Sequence, residues 1–393
     1  MSDKVLLSYS GGLDTAICLH WLRSVKGVKV ITLLVNIGQY EYLPPLGEVA
    51  LKLGAESVRI SDLRDSFIKN YIWPALKANA RYESGYLLCA ALNRPLIASE
   101  LISVAQEEGC DYVAHGSRGV GNDHIRLNNC IHSLTPELSI LTPLAELNLQ
   151  NVRDDIKYAR QHHIPISNIQ QTLYNVEYNL WGVNIQLGRE LSDTGWPGSL
   201  KGTYLMTTPL LETPDKPAEI EISFKQGVPV SLDGARMSEL ELIETLNKIG
   251  GRHAIGRVEL VENKISNQKS YEIYEAPAAT ILYAAHTALE EIVMPKDLSH
   301  FKNTLSGKYA ELVYNGEWFS PIRESLDKFF EHTQEKITGS VGLKLFKGNI
   351  HIFKRTSPFS LLSLVSASAG QSDPILSRHW RDEGGTSPLA NPK

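Results

Sequence analysis

The sequence of 393 residues has few cysteines and no long apolar run. Its cysteines show no C-x-x-C spacing and are Cys18, Cys89, Cys110 and Cys130. This spacing argues against a metal or redox site and predicts reduced thiols in a cytoplasmic protein. No run reaches about 18 apolar residues, and a strand-like run begins near the first residue. We therefore expect no contact with a membrane and no leader peptide.

The sequence also lacks an excess of basic residues. It contains 39 Lys and Arg against 44 Asp and Glu, which gives a formal net charge of −5. A large nucleic-acid-binding surface needs clustered basic residues, so no nucleic-acid partner is expected. Hydrophobic residues make up 42% of the chain, which is enough for packed cores in two or three domains.

The phosphate-binding patterns G-x-x-x-x-G-K-S/T and G-x-G-x-x-G are absent from the first predicted strand–helix junction. Present there is the stretch 8–16, Ser-Tyr-Ser-Gly-Gly-Leu-Asp-Thr-Ala. It follows the strand-like run Val5-Leu6-Leu7 and leads into a helical pattern. The free N–H groups and the dipole of a helix start favour an anion. Gly11 and Gly12 would let that anion approach the backbone.

These residues leave two interpretations open. The loop is either a plain strand-to-helix turn capped by Ser10, or a phosphate-binding loop in which Ser10 and Thr15 add hydroxyl donors. Asp14 is unusual beside an anion unless Mg2+ bridges its carboxylate to the phosphates. Asp14 is therefore the one candidate ligand for Mg2+, and no other side chain is assigned to a metal.

Strand-like and helical segments alternate over the first 166 residues. This alternation predicts an α/β fold with a parallel sheet covered by helices on both faces. The predicted strands are 5–7, 28–35, 57–60, 111–115 and 138–141, and the predicted helices after the first are 46–53, 65–78, 95–108 and 152–161. Ligands of such sheets bind beyond the carboxyl ends of the strands.

A second glycine-rich stretch, residues 115–126, lies at the same predicted edge. In one interpretation it is only a loop in which Asn122 and Asp123 cap the helix that carries Arg126. In the other it is a second loop that binds phosphate or carboxylate and faces the first. Its place at the ligand edge favours the second interpretation.

Composition and pattern predict an α/β domain at 1–166, an α+β domain at 167–365 and a loose tail at 366–393. Few elements are predicted between 167 and 215. After residue 215, two hairpins are predicted, 219–224 with 227–232 and 336–345 with 349–355, together with a strand at 258–261. The predicted helices are 238–249, 276–294 and 298–333, and the last is interrupted near Ser320-Pro321.

The stretch 8–16 resembles the SGGxD loop of ATP pyrophosphatases, which split ATP into AMP and pyrophosphate. The order of further motifs resembles argininosuccinate synthase as far as about Leu361. These motifs are Asn36-Ile37-Gly38-Gln39, Arg94-Pro95-Leu96-Ile97-Ala98, Gly121-Asn122-Asp123 with Arg126, Gly256-Arg257, Val261-Glu262-Asn263, Ile273-Tyr274-Glu275-Ala276-Pro277, Ala310–Gly316 and Phe319-Ser320-Pro321.

The resemblance implies an ATP-pyrophosphatase-type nucleotide-binding domain at 1–166 followed by a synthetase and multimerisation domain at 167–365, assembled as a cytoplasmic homotetramer in which the tail 366–393 takes part in oligomer contacts. It also implies an arginine-biosynthesis ligase that uses ATP and Mg2+. In the family, ATP adenylates the ureido oxygen of citrulline, and the amine of aspartate then displaces AMP. Such a reaction depends mainly on positioning and on stabilising phosphate charge.

Carried over by motif, the ATP-binding residues are Ser8, Tyr9, Ser10, Gly11, Gly12, Leu13, Thr15, Ala16, Val35 and Gly116. The catalytic residues are Asp14, Asn122, Asp123 and Arg126. The amino-acid-binding residues are Tyr86, Ala91, Arg118, Asn122, Asp123, Arg126, Asn175, Asn184, Glu262 and Tyr274.

The sequence departs from the family pattern mostly at amino-acid-facing positions. Ala90 and Ala91 stand where the family has hydroxyls, Arg118 replaces a threonine, and Asn175 and Asn184 replace serines. Unpaired buried polar groups cost about 1–3 kcal/mol each, and Arg118 could compensate by clamping a carboxylate. These changes lead to the hypothesis of a ligase with a changed amino-acid substrate.

The alternatives are an ordinary argininosuccinate synthase and a nucleotide-binding regulator without activity. GMP, NAD and asparagine synthetases share the loop but need a glutaminase module, which is not visible in the sequence. A tRNA-thiolating enzyme would need paired cysteines and a basic face, and the sequence shows neither.

Overall fold

The computed structural model describes residues 3–83, 85–119, 121–149, 152–165, 174–187 and 204–362. The first domain contains a five-stranded parallel sheet in the order β3-β2-β1-β4-β5. Its strands are β1 Lys4–Ser8, β2 Lys29–Asn36, β3 Ser57–Asp62, β4 Tyr112–His115 and β5 Ser139–Leu141. The predicted parallel sheet is confirmed.

Helices cover both faces of this sheet, as predicted. The helices are α1 Leu13–Ser24, α2 Leu43–Lys52, α3 Arg64–Phe67, α4 Trp73–Lys77, α5 Cys89–Glu108, α6 Asn122–Leu134, α7 Pro143–Glu146 and α8 Val152–Gln161. Successive side chains of a strand point to opposite faces. Val5 and Leu7 of β1 accordingly share a buried cluster with Ile17 of α1. Leu6, between them in sequence, is buried with Leu101 of α5 on the other face.

Two predicted helices differ in detail. The helix expected at 65–78 consists of α3, a π-helical turn Ile68–Ile72 and α4. The helix expected from Pro95 begins earlier, at Cys89, and contains Pro95 in its interior. The Tyr86 hydroxyl accepts hydrogen bonds from the N–H groups of Ala90 and Ala91, at 2.9 and 3.3 Å. This satisfies free donors of the first turn, so the helix can begin before the proline.

The second domain contains two antiparallel sheets, in the orders β10-β9-β8-β13-β14 and β11-β12-β7-β6. The strands are β6 Tyr174–Asn179, β7 Gly182–Leu187, β8 Ala218–Lys225, β9 Val228–Leu232, β10 Ala235–Arg236, β11 Arg257–Asn263, β12 Lys269–Glu275, β13 Gly339–Phe346 and β14 Asn349–Thr356. Its helices are α9 Glu239–Arg252, α10 Pro277–Val293, α11 Lys296–Tyr314 and α12 Pro321–Thr333.

The predicted hairpins of this domain are confirmed as β8–β9 and β13–β14. The predicted interruption of helix 298–333 is confirmed as well, because α11 ends at Tyr314 and the Ser320 side chain caps α12. The structure differs where few elements were expected. It forms the hairpin β6–β7 inside 167–215, and β12 pairs with β7.

The four-stranded sheet presents a polar face. Tyr274, Asn184 and Glu177 are cross-strand neighbours on β12, β7 and β6. Glu272 and Gln186 form the next row, two residues along, and so lie on the same face. The opposite face carries the apolar cluster Val183, Ile185 and Ile273. The polar side chains of three strands are thereby collected on one surface.

The predicted domain boundary at 166/167 and the predicted tail 366–393 lie outside the described residues. Among the helices that are described, none is long and apolar enough to cross a membrane.

Candidate active site

The glycine loop forms a compact turn between β1 and α1. The Ser10 hydroxyl lies 3.2 Å from the Thr15 hydroxyl and accepts a hydrogen bond from the Gly12 N–H at 3.3 Å. Gly12, not Ser10, is the N-cap of α1, and no side chain of the described residues caps this helix. The predicted Ser10 cap of α1 is therefore wrong. The N–H groups of the first turn are left to water or to a bound anion.

The two glycine-containing loops meet at the carboxyl ends of β1 and β4. Ser8 is paired with His115 across the parallel strands. A Cβ atom added at Gly116 would lie only 2.9 Å from Cγ2 of Thr15. Only glycine allows this close approach, which brings the predicted ATP-binding residues Thr15 and Gly116 together.

The remaining predicted ATP-binding residues surround this turn. Tyr9 is buried, and burial raises its pKa to about 12. Its hydroxyl makes no hydrogen bond within the described residues. Ala16 is buried in the core cluster, and Leu13 packs against the same cluster. Val35 lies near the carboxyl end of β2, where its carbonyl accepts a hydrogen bond from the side-chain amide of Gln39 at 2.6 Å.

Asn122 and Asp123 do not cap α6, which corrects one of the two interpretations of residues 115–126. The N-cap is Gly121, without a side-chain hydrogen bond. The Asn122 side chain instead reaches the second domain. It donates to the Tyr314 hydroxyl at 2.8 Å and accepts from the Ile265 N–H at 3.0 Å. Asn122 thus joins the two domains across the site.

Asp123 is held between two arginines. Its oxygens lie 2.9 Å from Nη2 of Arg94 and 3.0 Å from Nη1 of Arg126. Although burial favours the neutral carboxyl, the two guanidinium groups hold the pKa of Asp123 at about 2. Glu177 also contacts Arg94, but burial raises the pKa of Glu177 to about 7. Two carboxylates share one guanidinium here, and the better-paired Asp123 is the more acidic of the two.

A group of tyrosines lies beside this ion-pair network. The rings of Tyr86 and Tyr274 stack at 4.0 Å. The hydroxyls of Tyr274 and Tyr314 both donate to the Glu262 carboxylate. The Arg126 guanidinium lies over the Tyr314 ring, 4.6 Å from its centroid. These contacts join three predicted amino-acid-binding residues from different elements: Arg126 of α6, Glu262 of β11 and Tyr274 of β12.

Several buried polar atoms of this network and of the polar sheet face lack a partner among the described residues. Among them are Nη2 of Arg126, Nε of Arg94, Oε2 of Glu272 and Oδ1 of Asn184. Nε of Arg126 donates to the Tyr314 carbonyl at 2.7 Å and Nη1 is paired with Asp123, so only part of the guanidinium is satisfied. Unsatisfied buried donors and acceptors cost about 1–3 kcal/mol each. A polar ligand that bonds to any of these atoms would remove part of that cost.

The other predicted amino-acid-binding residues are placed less directly. Tyr86 and Ala91 are both buried, and the Ala91 N–H donates a hydrogen bond to the Tyr86 hydroxyl. Asn175 lies on β6 opposite Gln186, but its side chain is outside the described part of the structure. The Arg118 guanidinium contacts Asp14, at 3.2 Å, and Asp155. It therefore lies against the nucleotide loop.

Sequence reasoning missed Arg94, Glu177, Tyr314 and Asp155 as site residues. Arg94 and Tyr314 stand inside stretches that match the family pattern, which was the available signal. Nothing in the local sequence distinguishes Asp155 from an exposed helix residue, yet it is fully buried against Arg118. Its role depends on a contact with a distant loop.

The side chains present do not form a site for a divalent cation. Asp14 was the candidate ligand, but its carboxylate is paired with Arg118. Within the described residues, no group of three or more His, Cys, Asp or Glu side chains could hold a metal ion. Mg2+ coordination requires oxygen ligands that are free to bind it, so any Mg2+ would be held by nucleotide phosphates and water.

Comparisons with known proteins agree with this arrangement. The family model for the arginosuccinate synthase N-terminal HUP domain matches residues 4–165, and that for the arginosuccinate synthase C-terminal domain matches residues 174–381. An argininosuccinate synthase from Chlorobium phaeobacteroides (strain BS1) is 43% identical over 371 residues, 94% of this chain and 92% of that protein. One from Dictyoglomus turgidum is 46% identical over 359 residues, 91% of this chain and 89% of that protein. The chain therefore belongs to the argininosuccinate synthase family of ATP-dependent C–N ligases, which produce AMP and pyrophosphate.

Proposed function

We propose that this protein condenses citrulline with aspartate to form argininosuccinate, and converts ATP to AMP and pyrophosphate. The observation that carries the proposal is the buried Nη2 of Arg126, which has no partner among the described residues. The guanidinium lies over the Tyr314 ring, 4.6 Å from its centroid, and the Tyr314 hydroxyl in turn donates to Glu262. A guanidinium with free N–H groups is suited to bind a carboxylate of an amino-acid substrate. The similar proteins named argininosuccinate synthase support these substrates, and they give no support to a changed one.

The glycine loop is assigned to the triphosphate of ATP. The N–H groups at the start of α1 and the hydroxyls of Ser10 and Thr15 supply donors to the phosphate oxygens. Tyr9 and Ala16 belong to one apolar cluster beside the loop, and Leu13 packs against it. Mg2+, bound to the phosphates, would neutralise part of their charge and favour departure of pyrophosphate.

The reaction has two steps. First, the ureido oxygen of citrulline forms a bond to the α-phosphorus, and the bond from that phosphorus to the β-phosphate oxygen breaks to release pyrophosphate. Next, the amine nitrogen of aspartate forms a bond to the activated carbon, the bond from carbon to the AMP oxygen breaks, and the amine loses a proton. Arg126, Glu262 and Tyr274 hold citrulline, and Asn122 and Asp123 position the aspartate amine.

Asp123 acts in this scheme as a fixed hydrogen-bond acceptor. The two guanidinium groups hold the pKa of Asp123 below the usual range of an aspartate, which makes this carboxylate a poor base near pH 7. Its two arginine partners instead keep it ionised and fixed in position. The proton of the amine is therefore transferred to the departing AMP phosphate or to water.

The proposal includes a cytoplasmic homotetramer. All four cysteines are free thiols, which fits a reducing compartment. The family resemblance supports the tetramer, and light scattering at several protein concentrations would test it. A monomer with full activity would contradict this part of the proposal.

The first experiment measures pyrophosphate release with ATP, citrulline and aspartate, with the product identified by mass spectrometry. We expect release only when all three are present. In Arg126→Met, we expect the KM for citrulline to rise by about 10- to 100-fold while the KM for ATP stays within about twofold, because a charge-assisted hydrogen bond is lost. Arg59→Met, which removes half-exposed surface pairs with Glu107 and Glu108, is the matched control.

Other outcomes would contradict the proposal in distinguishable ways. Release with a different amino-acid pair, but none with citrulline and aspartate, would establish a changed substrate. ATP binding without release in the presence of any amino acid would indicate a non-catalytic regulator.

A further inference from the structure

The strongest unexplained feature near the nucleotide loop is the position of Arg118. Its Nη2 atom contacts two carboxylates at once, Oδ1 of Asp14 at 3.2 Å and Oδ2 of Asp155. Its Nη1 atom donates to the Leu149 carbonyl at 3.2 Å. One side chain thereby links the glycine loop, the loop after β4 and helix α8.

The two carboxylates differ in their surroundings. The Asp14 side chain is 43% exposed and lies in the loop assigned to the phosphates, whereas the Asp155 side chain is 1% exposed. Oδ1 of Asp155 is buried and makes no hydrogen bond within the described residues. A buried carboxylate with one oxygen unsatisfied depends on its remaining partner, here Arg118, to stay ionised.

Asp14 and Asp155 converge on one atom of Arg118 beside the proposed phosphate site. Without the arginine, two carboxylates in this arrangement would suit a divalent cation. A cation in this position would bridge the carboxylates to the phosphates. A guanidinium fills the position in this chain, and it is permanently charged. The expected metal ligand Asp14 is therefore already neutralised by the protein.

We propose that Arg118 takes the place of a protein-bound divalent cation between Asp14 and Asp155, so that the reaction needs no Mg2+ beyond that carried by ATP. The statement about the reaction rests on the proposed function, whereas the statement about the cation position does not. Burial raises the pKa values of Asp14 and Asp155, and the Arg118 charge opposes that rise. Without Arg118, the pair would take up either a proton or a metal ion.

The test is a titration of the nucleotide-free protein with Mn2+, followed by electron paramagnetic resonance at pH 8. We expect the wild-type chain to show no saturable site in the millimolar range. Arg118→Met removes the charge and keeps an unbranched side chain, and we expect it to gain one site, with an affinity at least about tenfold higher than any in the wild type. Arg118→Lys, which keeps a cation, is the matched control and should gain none.

The double variant Arg118→Met with Asp14→Asn should lose the gained site. Circular dichroism of each variant checks that it is folded, and Arg118→Ser provides a second uncharged variant should Arg118→Met fail that check. A saturable wild-type site that Asp14→Asn abolishes would overturn the proposal. So would the absence of any gained site in both folded uncharged variants.

A second readout is pyrophosphate release at fixed MgATP and increasing free Mg2+. The wild-type rate should stay constant within about twofold, whereas the Arg118→Met rate should rise with free Mg2+. A wild-type rate that rises several-fold with free Mg2+ would overturn the statement about the reaction. If no amino-acid pair supports release, the proposed function fails, but the Mn2+ titration still decides the position of the cation.

Discussion

Asn184 lies directly opposite Tyr274 in the antiparallel pair of β7 and β12. Its other cross-strand neighbour is Glu177 on β6. The side chain of Asn184 is thereby fixed between a tyrosine that contacts Glu262 and a carboxylate that contacts Arg94. Its Oδ1 atom is buried and unpaired within the described residues, so it is an acceptor on the polar face of the sheet that a ligand can use.

We predict that Asn184→Ala raises the KM for citrulline by about tenfold, because one buried hydrogen bond to the substrate is worth about 1–1.5 kcal/mol. The kcat should stay within about twofold. Steady-state kinetics with saturating ATP and aspartate measure both constants. A lower melting temperature without a change in KM would show instead that Asn184 is only structural.

The Asp123 carboxylate gives a second prediction. Asp123→Asn removes the charge that Arg94 and Arg126 share, which leaves Arg126 without an ion-pair partner among the described residues and Arg94 with Glu177 alone. We expect kcat/KM to fall at least about 100-fold and the free energy of unfolding to fall by about 3–5 kcal/mol. Urea denaturation and kinetics measure the two effects. The control Glu107→Gln breaks an exposed pair with Arg59 and should cost less than about 1 kcal/mol.

The sequence predicted the first domain better than the second for a physical reason. Buried parallel strands and amphipathic helices such as β1 and α1 carry local apolar patterns. Strands β7 and β12 alternate polar and apolar residues, but their polar side is buried against the site, so the pattern resembles a surface. Their pairing depends on a contact between distant segments, which no local pattern encodes.

The contacts within the site likewise join segments that are distant in sequence, so local patterns predicted only part of it. Residues 8–16 and 121–126 carried motifs, and the structure brings the two loops together. The partners of those motifs did not carry comparable signals. Asp155 and Glu177 are acidic residues in polar stretches, and their importance follows only from burial against Arg118 and Arg94.

His115 provides a third prediction, which concerns protonation. Burial lowers the pKa of His115 to about 4. Its Nδ1 accepts from the Ser117 N–H at 3.3 Å, so Nε2 carries the proton and donates to Oδ1 of Asn128 at 2.9 Å. Asn128→Asp would place a negative charge at this distance and favour the imidazolium form, so the pKa of His115 should rise. Nuclear magnetic resonance titration of the imidazole nitrogens measures this shift.

The lowered pKa of His115 also predicts how the stability of the protein changes with pH. A lowered histidine pKa gives stability that is present above pH 6.5 and is lost as the pH falls toward 4. Asn128→Asp should therefore lose less stability than the wild type on acidification. An unchanged His115 pKa in the variant would contradict the assigned hydrogen bond.

Glu272 gives a fourth prediction, in which stability changes with pH in the opposite direction to the effect of His115. Burial raises its pKa from 4.5 to about 7. The folded state then binds a proton that the unfolded state releases near pH 4.5, so the contribution of Glu272 to stability is lost as the pH rises from 4.5 to 7. Glu272→Gln does not titrate. The stability of the wild type minus that of the variant should fall by about 2 kcal/mol between pH 5 and pH 7.

Urea denaturation of both proteins at the two pH values measures this difference. The contribution of His115 is common to both proteins and cancels. A difference that does not change with pH would show that Glu272 titrates normally in the folded protein.

Gly316 gives the last prediction, because it fixes the position of Arg126 from the second domain. Its φ is +76°, and a Cβ atom there would lie 2.6 Å from Cα of Arg126. Gly316→Ala would therefore add backbone strain and displace the start of α6, and we expect it to destabilise the fold by about 1–3 kcal/mol. The displacement should also raise the KM for citrulline, because Arg126 moves relative to Tyr274 and Glu262.

Gly307 provides the matched control, since it lies in helix α11 and a Cβ atom there would meet nothing within 4 Å. Gly307→Ala should stabilise the protein by about 0.5–1 kcal/mol and leave the KM unchanged. Urea denaturation and steady-state kinetics on the pair separate the two effects. If both alanine variants were equally stable and equally active, the packing of Gly316 against Arg126 would not be what positions the guanidinium.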